Sequence, residues 1–152
     1  MSHDVDLVRV EPQLTVVVRE QVLQKDLPRF VPAACGEVWS FFRGAGLPKP
    51  GRNVAVYFDS LITVEAGAEA TAPFTGNGRV ICSQIPGGLA ATTAHFGPYG
   101  TLGTAHRAIL DWCTANGRRL TGVSWELYGH WQDAWNNDPS QIRTDIFYLV
   151  DP

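Results

Sequence analysis

Ser124-Trp125-Glu126-Leu127-Tyr128-Gly129-His130 sets one acid among aromatic and apolar residues at a period of two. Read as a β-strand, the stretch puts Ser124, Glu126, Tyr128 and His130 on one face and Trp125 and Leu127 on the other, because successive side chains of a strand point to opposite sides. Trp125 and Leu127 are expected to bury against helices. Glu126, with a phenol two residues on, is expected to face a groove, where a carboxylate removed from water requires a partner. The competing reading is an edge-strand glutamate that points into water, as most glutamates do.

Around this strand the chain reads as two similar halves. Residues 14–20, Leu-Thr-Val-Val-Val-Arg-Glu, are β-branched enough for a first strand, after a loose tail over residues 1–13. Leu27-Pro28 opens a helix whose apolar positions Val31, Ala34, Cys35, Val38, Phe42 and Ala45 recur at helical spacing, and the glycines and prolines of 44–51 end it. Residues 53–59 alternate as a second strand with Tyr57 opposite Val56 and Phe58, and 61–65 return as a third after a tight turn. Residues 66–78, rich in Gly and Ala, read as the connection between halves.

The pattern then restarts. Residues 79–83 form a strand, Pro86-Gly87-Gly88 a turn, and residues 89–96 a second strand. Gly97-Pro98-Tyr99-Gly100-Thr101 introduces a helix with Leu102, Ala105, Ile109, Trp112 and Cys113 on one face and Asn116-Gly117 as its stop. The Glu126 strand, a loop over residues 131–141 and a closing strand over 144–150 complete it. Residues 16–20 correspond to 92–96, the helix around Trp39 to that around Trp112, and 54–58 to the segment around Glu126 and Tyr128. The identity between halves is weak, but the shared order predicts an α+β fold. It is a duplicated strand-helix-strand-strand repeat, with a pseudo-two-fold antiparallel sheet, two helices and a central cleft across which Tyr57 and Glu126 face each other.

Composition bounds the function. With 152 residues the chain fits one domain, taken as residues 14–152, and 45% hydrophobic against 18% charged residues marks a folded chain rich in aromatic surface. A net charge of −3 with scattered Lys and Arg lacks the footprint of nucleic-acid binding. Cys35, Cys82 and Cys113 form no C-x-x-C, and they read as thiols in a reducing compartment rather than a disulfide framework. Neither a signal-peptide core nor a membrane-length apolar run is present, so a cytoplasmic location without a membrane partner is expected.

Other constellations carry less. His95, His106 and His130 are dispersed, and ordinary surface or hydrogen-bonded histidines explain them better than a metal site. The glycines of 97–103 do not match a phosphate-binding pattern and no cofactor is implied. Ser83 and Ser124 have no His-Asp arrangement that suggests a triad. Trp39 and Trp112 stand at core spacing, and Trp112 is assigned to the core. The aromatics Trp131 and Trp135 are read either as cleft residues or as an interface for a protein partner or a second copy of the chain.

His95-Phe96-Gly97-Pro98-Tyr99 before a helix, then Trp125-Glu126-Leu127-Tyr128, then Asp138-Pro139 and Thr144-Asp145-Ile146-Phe147-Tyr148, together resemble the GyrI-like small-molecule-binding superfamily. That superfamily includes gyrase-inhibitory proteins and the effector-binding domains of multidrug-responsive transcription activators. The resemblance covers almost the whole chain after Leu14 and implies a cleft between two repeats in which Glu126 meets cationic or polar aromatic ligands. With no winged-helix or helix-turn-helix segment in front, the chain is expected not to be a complete regulator. Gly100-Thr101 also departs from the acidic residues common there in the family. The ligand-contacting residues expected are Glu126, Tyr57, Tyr128, Trp39, Phe96, Tyr148 and Trp131. The resemblance also permits a second activity, hydrolysis of strained cyclopropane-containing genotoxins. Glu126 would then activate water, with Tyr128 or Tyr57 polarising the carbonyl conjugated to the ring. A third reading is a protein-binding module of the gyrase-inhibitor kind.

Overall fold

The computed structural model describes residues 3–47, 49–58 and 63–152. Its elements run β1 (Asp6–Val10), β2 (Gln13–Gln21), α1 (Leu27–Ala45), β3 (Asn53–Tyr57), β4 (Thr63–Glu69), β5 (Val80–Ile85), β6 (Gly88–Phe96), α2 (Leu102–Ala115), β7 (Leu120–Tyr128), a short α3 (Ala134–Asn137) and β8 (Arg143–Val150). Among the described residues the strands form one eight-stranded antiparallel sheet in the order β1-β6-β8-β7-β3-β4-β2-β5.

That order is the duplication made visible. The units β2-α1-β3-β4 and β6-α2-β7-β8 lay down their strands as β3-β4-β2 and β7-β8-β6, back to back about the central β3/β7 pair. Each unit is completed by a strand that precedes the other in sequence. β1 leads into β2 yet pairs with β6, and β5 leads into β6 yet pairs with β2. The two connectors touch, since a β-carbon on Gly87 would lie 2.6 Å from Pro12 Cδ. Asp6–Val10 is therefore a paired edge strand, not the loose tail expected over residues 1–13; Leu7 packs against the α2 core, and the ladder to β6 satisfies the backbone.

The connection expected over 66–78 is also shorter than its composition suggests. β4 continues through Ala66-Gly67-Ala68 to Glu69, because the backbones approach closely there: a side chain at Gly67 would run into the Val16 carbonyl oxygen. The strand expected over 61–65 is described only from Thr63, and Asp59, Leu61 and Ile62 lie outside the described residues.

Three cores hold the fold. α1 sets Ala34, Val38 and Phe42 on Val16, Val18, Ala66, Ala68 and Val80, while α2 sets Ala105, Ile109 and Cys113 on Ala91, Ile146 and Val150. Both helices lie on one face of the sheet. The opposite face makes its own core from Val54, Val56, Ile85, Ala90, Trp125 and Leu127, with the Trp125 indole stacked on Phe147 at 5.2 Å and 11°. Trp125 and Leu127 thus bury away from the helices, contrary to expectation. The residues that share β7's helix-bearing face are Ser124, Glu126 and Tyr128, and they are free to floor a cleft between α1 and α2. No helix among the described residues is long and apolar enough to cross a membrane.

Candidate functional site

A cavity of about 750 Å³ opens between the two helices above the β3/β7 pair. Its α1 wall is a stripe at four-residue intervals, Pro28, Pro32, Gly36 and Leu27, Val31, Cys35, Trp39, which one helix face must present. Asn53 and Tyr57 from β3 and Glu126 and Tyr128 from β7 supply the floor, and Tyr99, Gly100 and Leu102 close the side at the start of α2. The register places Asn53 opposite Tyr128 and Ala55 opposite Glu126 on the β3 side, with Ile146 opposite Glu126 on the β8 side, so the small alanine leaves space beside the carboxylate toward β3.

Glu126 is 5% exposed and fully engaged. Its Oε1 accepts from the Tyr128 hydroxyl at 2.7 Å and from the Tyr57 hydroxyl at 3.1 Å. Its Oε2 lies 2.7 Å from His106 Nε2, while His106 Nδ1 lies 2.7 Å from the Tyr148 hydroxyl. Since an ionised carboxylate only accepts, Nε2 carries the proton in that pair. Burial pushes the Glu126 carboxyl up, but the His106 hydrogen bond and charge, then the two tyrosine donors, outweigh it and hold the group below its ordinary value. Desolvation alone would favour the neutral acid, and partners that sequence spacing could not supply reverse it. The phenols move the other way. Burial, then the Glu126 charge, raises Tyr57 and Tyr128 strongly and pushes Tyr148 up to about 12, so all three remain neutral donors. Burial likewise pushes the Cys35 thiol up to about 12, and its Sγ donates to the Gly67 carbonyl at 3.4 Å.

Of the residues expected in the cleft, Glu126, Tyr57, Tyr128 and Trp39 line it together. Tyr57 and Glu126 are neighbours on adjacent strands rather than partners across a gap. Trp39 is oriented by its indole N–H, which donates to Asn53 Oδ1 at 2.7 Å. Tyr148 stands behind the floor and acts on it through His106.

Phe96 and Trp131 are elsewhere. Phe96 is 54% exposed beneath the Arg143 guanidinium, because the strand period that turns His95 toward the helices turns Phe96 away. Trp131 is 52% exposed, edge-on to Trp135 with its N–H on Asn136. Trp135 itself is buried, its ring so close to Gly129 that a β-carbon there would lie 3.1 Å from it. Of the pair only Trp131 is exposed.

Neither His106, read from sequence as an ordinary surface or hydrogen-bonded histidine, nor Tyr99, quoted there only within the stretch before the second helix, is among the residues expected at the cleft. His106 falls beside Ala105 on the Leu102–Ile109 face of α2, so a polar residue on an apolar stripe was the available signal. Tyr99 meets Tyr128 edge to face at 5.7 Å. His95, the other histidine weighed as a metal ligand, is turned to His3 and Thr101. The second fully buried acid, Glu65, lies on the helix-free face, where Arg19 Nε and Ser83 Oγ each donate to it at 2.7 Å, and it plays no part in the cleft.

No curated protein sequence matches the chain. In fold it is similar to the EcmrR C-terminal domain, at 22% identity and a TM-score of 0.78 over 99% of both chains. It is also similar to SAV2435 bound to tetraphenylphosphonium, at 9% identity and a TM-score of 0.69 over 97% of this chain and 94% of that one. A hydrolase from Listeria innocua shares the fold at 11% identity and a TM-score of 0.59, over 99% of this chain and 93% of that one. The model of the GyrI-like small molecule binding domain matches residues 3–151, and the chain belongs to that family.

Proposed function

We propose that the chain binds lipophilic aromatic cations in this cleft, with Glu126 as counter-charge. The observation that carries the reading is a buried carboxylate at the floor of a mainly apolar cavity, its oxygens held by Tyr57, Tyr128 and His106, with no Lys or Arg in the lining among the described residues. Its tyrosine partners are neutral donors, so beyond the one imidazole on Oε2 they stabilise the carboxylate without adding positive charge to the cavity wall. Trp39, Tyr57, Tyr99 and Tyr128 surround the same space; the Lys49 ammonium already stands over the Trp39 ring, 5.9 Å from its centroid, and each further cation–π contact contributes about 0.5–2 kcal/mol with desolvation. Tetraphenylphosphonium on SAV2435, a protein of the same fold, is a ligand of this chemical class and gives the reading further support.

The test is a titration followed by tryptophan fluorescence and calorimetry, comparing tetraphenylphosphonium with neutral triphenylphosphine oxide on the parent protein and on Glu126→Gln. The glutamine carbonyl can accept from both tyrosines while its amide donates to Nε2 of the Nδ1-protonated tautomer of neutral His106, so the floor is retained. Saturable cation binding that weakens selectively in the variant supports the reading; equal affinity of parent and variant for the cation refutes it.

A second reading, hydrolysis of a strained-ring electrophile, draws on one observation: the acid, two phenols and an imidazole meet in a single hydrogen-bonded group. The hydrolase of similar fold points the same way. Turnover by the parent that vanishes in Glu126→Gln, while neutral ligands still bind, would favour it over simple binding.

A further inference from the structure

Besides Glu126 the floor of the cleft carries a second polar group with capacity to spare. Asn53 lines the cavity from β3, and its side-chain amide holds an acceptor at Oδ1 and two N–H donors at Nδ2. An indole nitrogen only donates, so the 2.7 Å bond from Trp39 Nε1 fixes which end of the amide is which. Oδ1 is turned to α1 and taken, and Nδ2 is turned away from it. Among the described residues no acceptor of the protein meets Nδ2, and the buried side-chain polar atoms left without a partner are Thr15 Oγ1 and Thr144 Oγ1. The Asn53 nitrogen is therefore not sealed in; it opens onto the cavity that the residue lines. The other donors of the floor are spent, since Tyr57 and Tyr128 give their hydroxyl protons to Glu126.

We propose that Asn53 is a specificity-determining residue that donates to a hydrogen-bond acceptor on the ligand, so that the cleft favours aryl cations carrying a carbonyl or ether oxygen over plain hydrocarbon cations. This inference rests on the cation-binding reading. Glu126 attracts any monocation, whereas Asn53 rewards only one with an oxygen in reach. The register sets that reach: Ala55 lies opposite Glu126, and Asn53 stands two residues before it on β3, an offset of about 7 Å along the strand. A para-disubstituted benzene ring spans a comparable length between an onium nitrogen and a carbonyl oxygen. A hydrocarbon laid over Nδ2 strips the donor of water and returns nothing, while a ligand oxygen replaces the lost bond. The difference between those two outcomes is the discrimination.

The measurement uses four aryl trimethylammonium ions, on a phenyl and on a biphenyl body, each with an acetyl or an isopropenyl group at the end far from the nitrogen. The two groups share a shape and differ by an oxygen for a methylene. Dissociation constants are taken by calorimetry on the parent, Asn53→Leu and Asn53→Asp, at about pH 8, where a carboxyl of ordinary pKa near 4 is ionised. The readout is the ratio of acetyl to isopropenyl affinity, compared between proteins. Any general change in the charge of the site cancels in that ratio, and the hydration of the free ligands cancels in the comparison. Asn53→Leu, which removes the donor, should lower the ratio by about threefold to tenfold on at least one body. Asn53→Asp keeps an acceptor for the Trp39 N–H but sets an ionised oxygen where the donor stood, and it should lower the ratio at least as far. Should one variant fail to fold, the other carries the test. A ratio that stays at the parent's value on both bodies overturns the proposal and leaves cation binding intact. So does a parent that binds none of the four while it binds tetraphenylphosphonium. Failure to bind tetraphenylphosphonium as well overturns both readings together.

Discussion

Gly36 offers a perturbation in which stability and binding should move in opposite directions. It sits mid-helix in α1, on the stripe that faces the cleft, and a β-carbon built on it meets nothing within 4 Å. Glycine in a helix interior is less favourable than alanine by about 0.5–1 kcal/mol because it loses more backbone freedom on folding. Leucine has nearly alanine's helix propensity. Gly36→Ala and Gly36→Leu are therefore both expected to stabilise the protein by about 0.5–1 kcal/mol, a rise in Tm of roughly 1–4 °C for a chain of this size. Their effects on the cleft should differ. Alanine adds one carbon to a cavity of about 750 Å³ and leaves room for a ligand. Leucine adds four, aimed between Pro32 and Trp39 into the space above Glu126, and should weaken an aromatic cation by about tenfold or more through lost contact area. Thermal melts without ligand and calorimetric titration with tetraphenylphosphonium give the two numbers for each variant. Refutation would be a leucine variant that melts lower than the parent, showing that the site is packed rather than open, or one that binds the cation as the parent does, placing the ligand elsewhere.

Three further outcomes follow from the packing and the charges. Gly67→Ala should destabilise by about 1–3 kcal/mol in urea unfolding, since the added carbon meets the Val16 backbone, which cannot give way without disturbing the β2/β4 ladder. Trp125→Ala should cost about 3–5 kcal/mol in the same assay, because the indole is 2% exposed and stacked on Phe147 in the helix-free core. The stability of the parent relative to Glu126→Gln should depend on pH in one direction. The folded pKa of Glu126 lies below the unfolded value of about 4.3, so its contribution is complete above that value and fades as pH falls through the folded pKa. A gap between the two proteins that widened on acidification would contradict this.

Much of this architecture can be read from the sequence, and the exceptions share a cause. The helix of residues 27–45 and the strand around Glu126 are legible because their apolar residues repeat at 3.6 and at 2, and the duplication is legible because the order of elements repeats even where residues do not. Local pattern does not say which face of a strand a helix covers. Trp125 and Leu127 look like helix contacts, but β1 and β5 exchange between the halves and the helix-free face closes into a core of its own. The same limit explains the cleft. Glu126, Tyr57, Tyr128 and Trp39 carry their chemistry openly, whereas His106 gains its role only when α2 packs on β6 and β8 beside β7, and Phe96 loses its expected one through a single step of strand parity. Ala66-Gly67-Ala68 reads as a linker by composition and is a strand because two backbones need that space.

The exchange of outer strands also bears on how the site works. A cleft between two repeats would ordinarily open and close about its join, and a carboxylate at the join would lose its partners with each opening. Here the join is the β3/β7 ladder itself, with β1 and β5 each bound to the other repeat and their connectors in contact at Pro12 and Gly87. Arg52 adds a tie across it, reaching Glu69 on β4 at 3.1 Å and Asp145 on β8 at 3.4 Å. The floor that holds Glu126, Tyr57 and Tyr128 is therefore preorganised, so its donors are aligned before a ligand arrives and little ordering remains to oppose binding. The walls are independent of one another, because α1 rests on its own core and α2 on a separate one. Substitutions along the Pro28–Trp39 stripe can then reshape the cavity without disturbing the carboxylate beneath it.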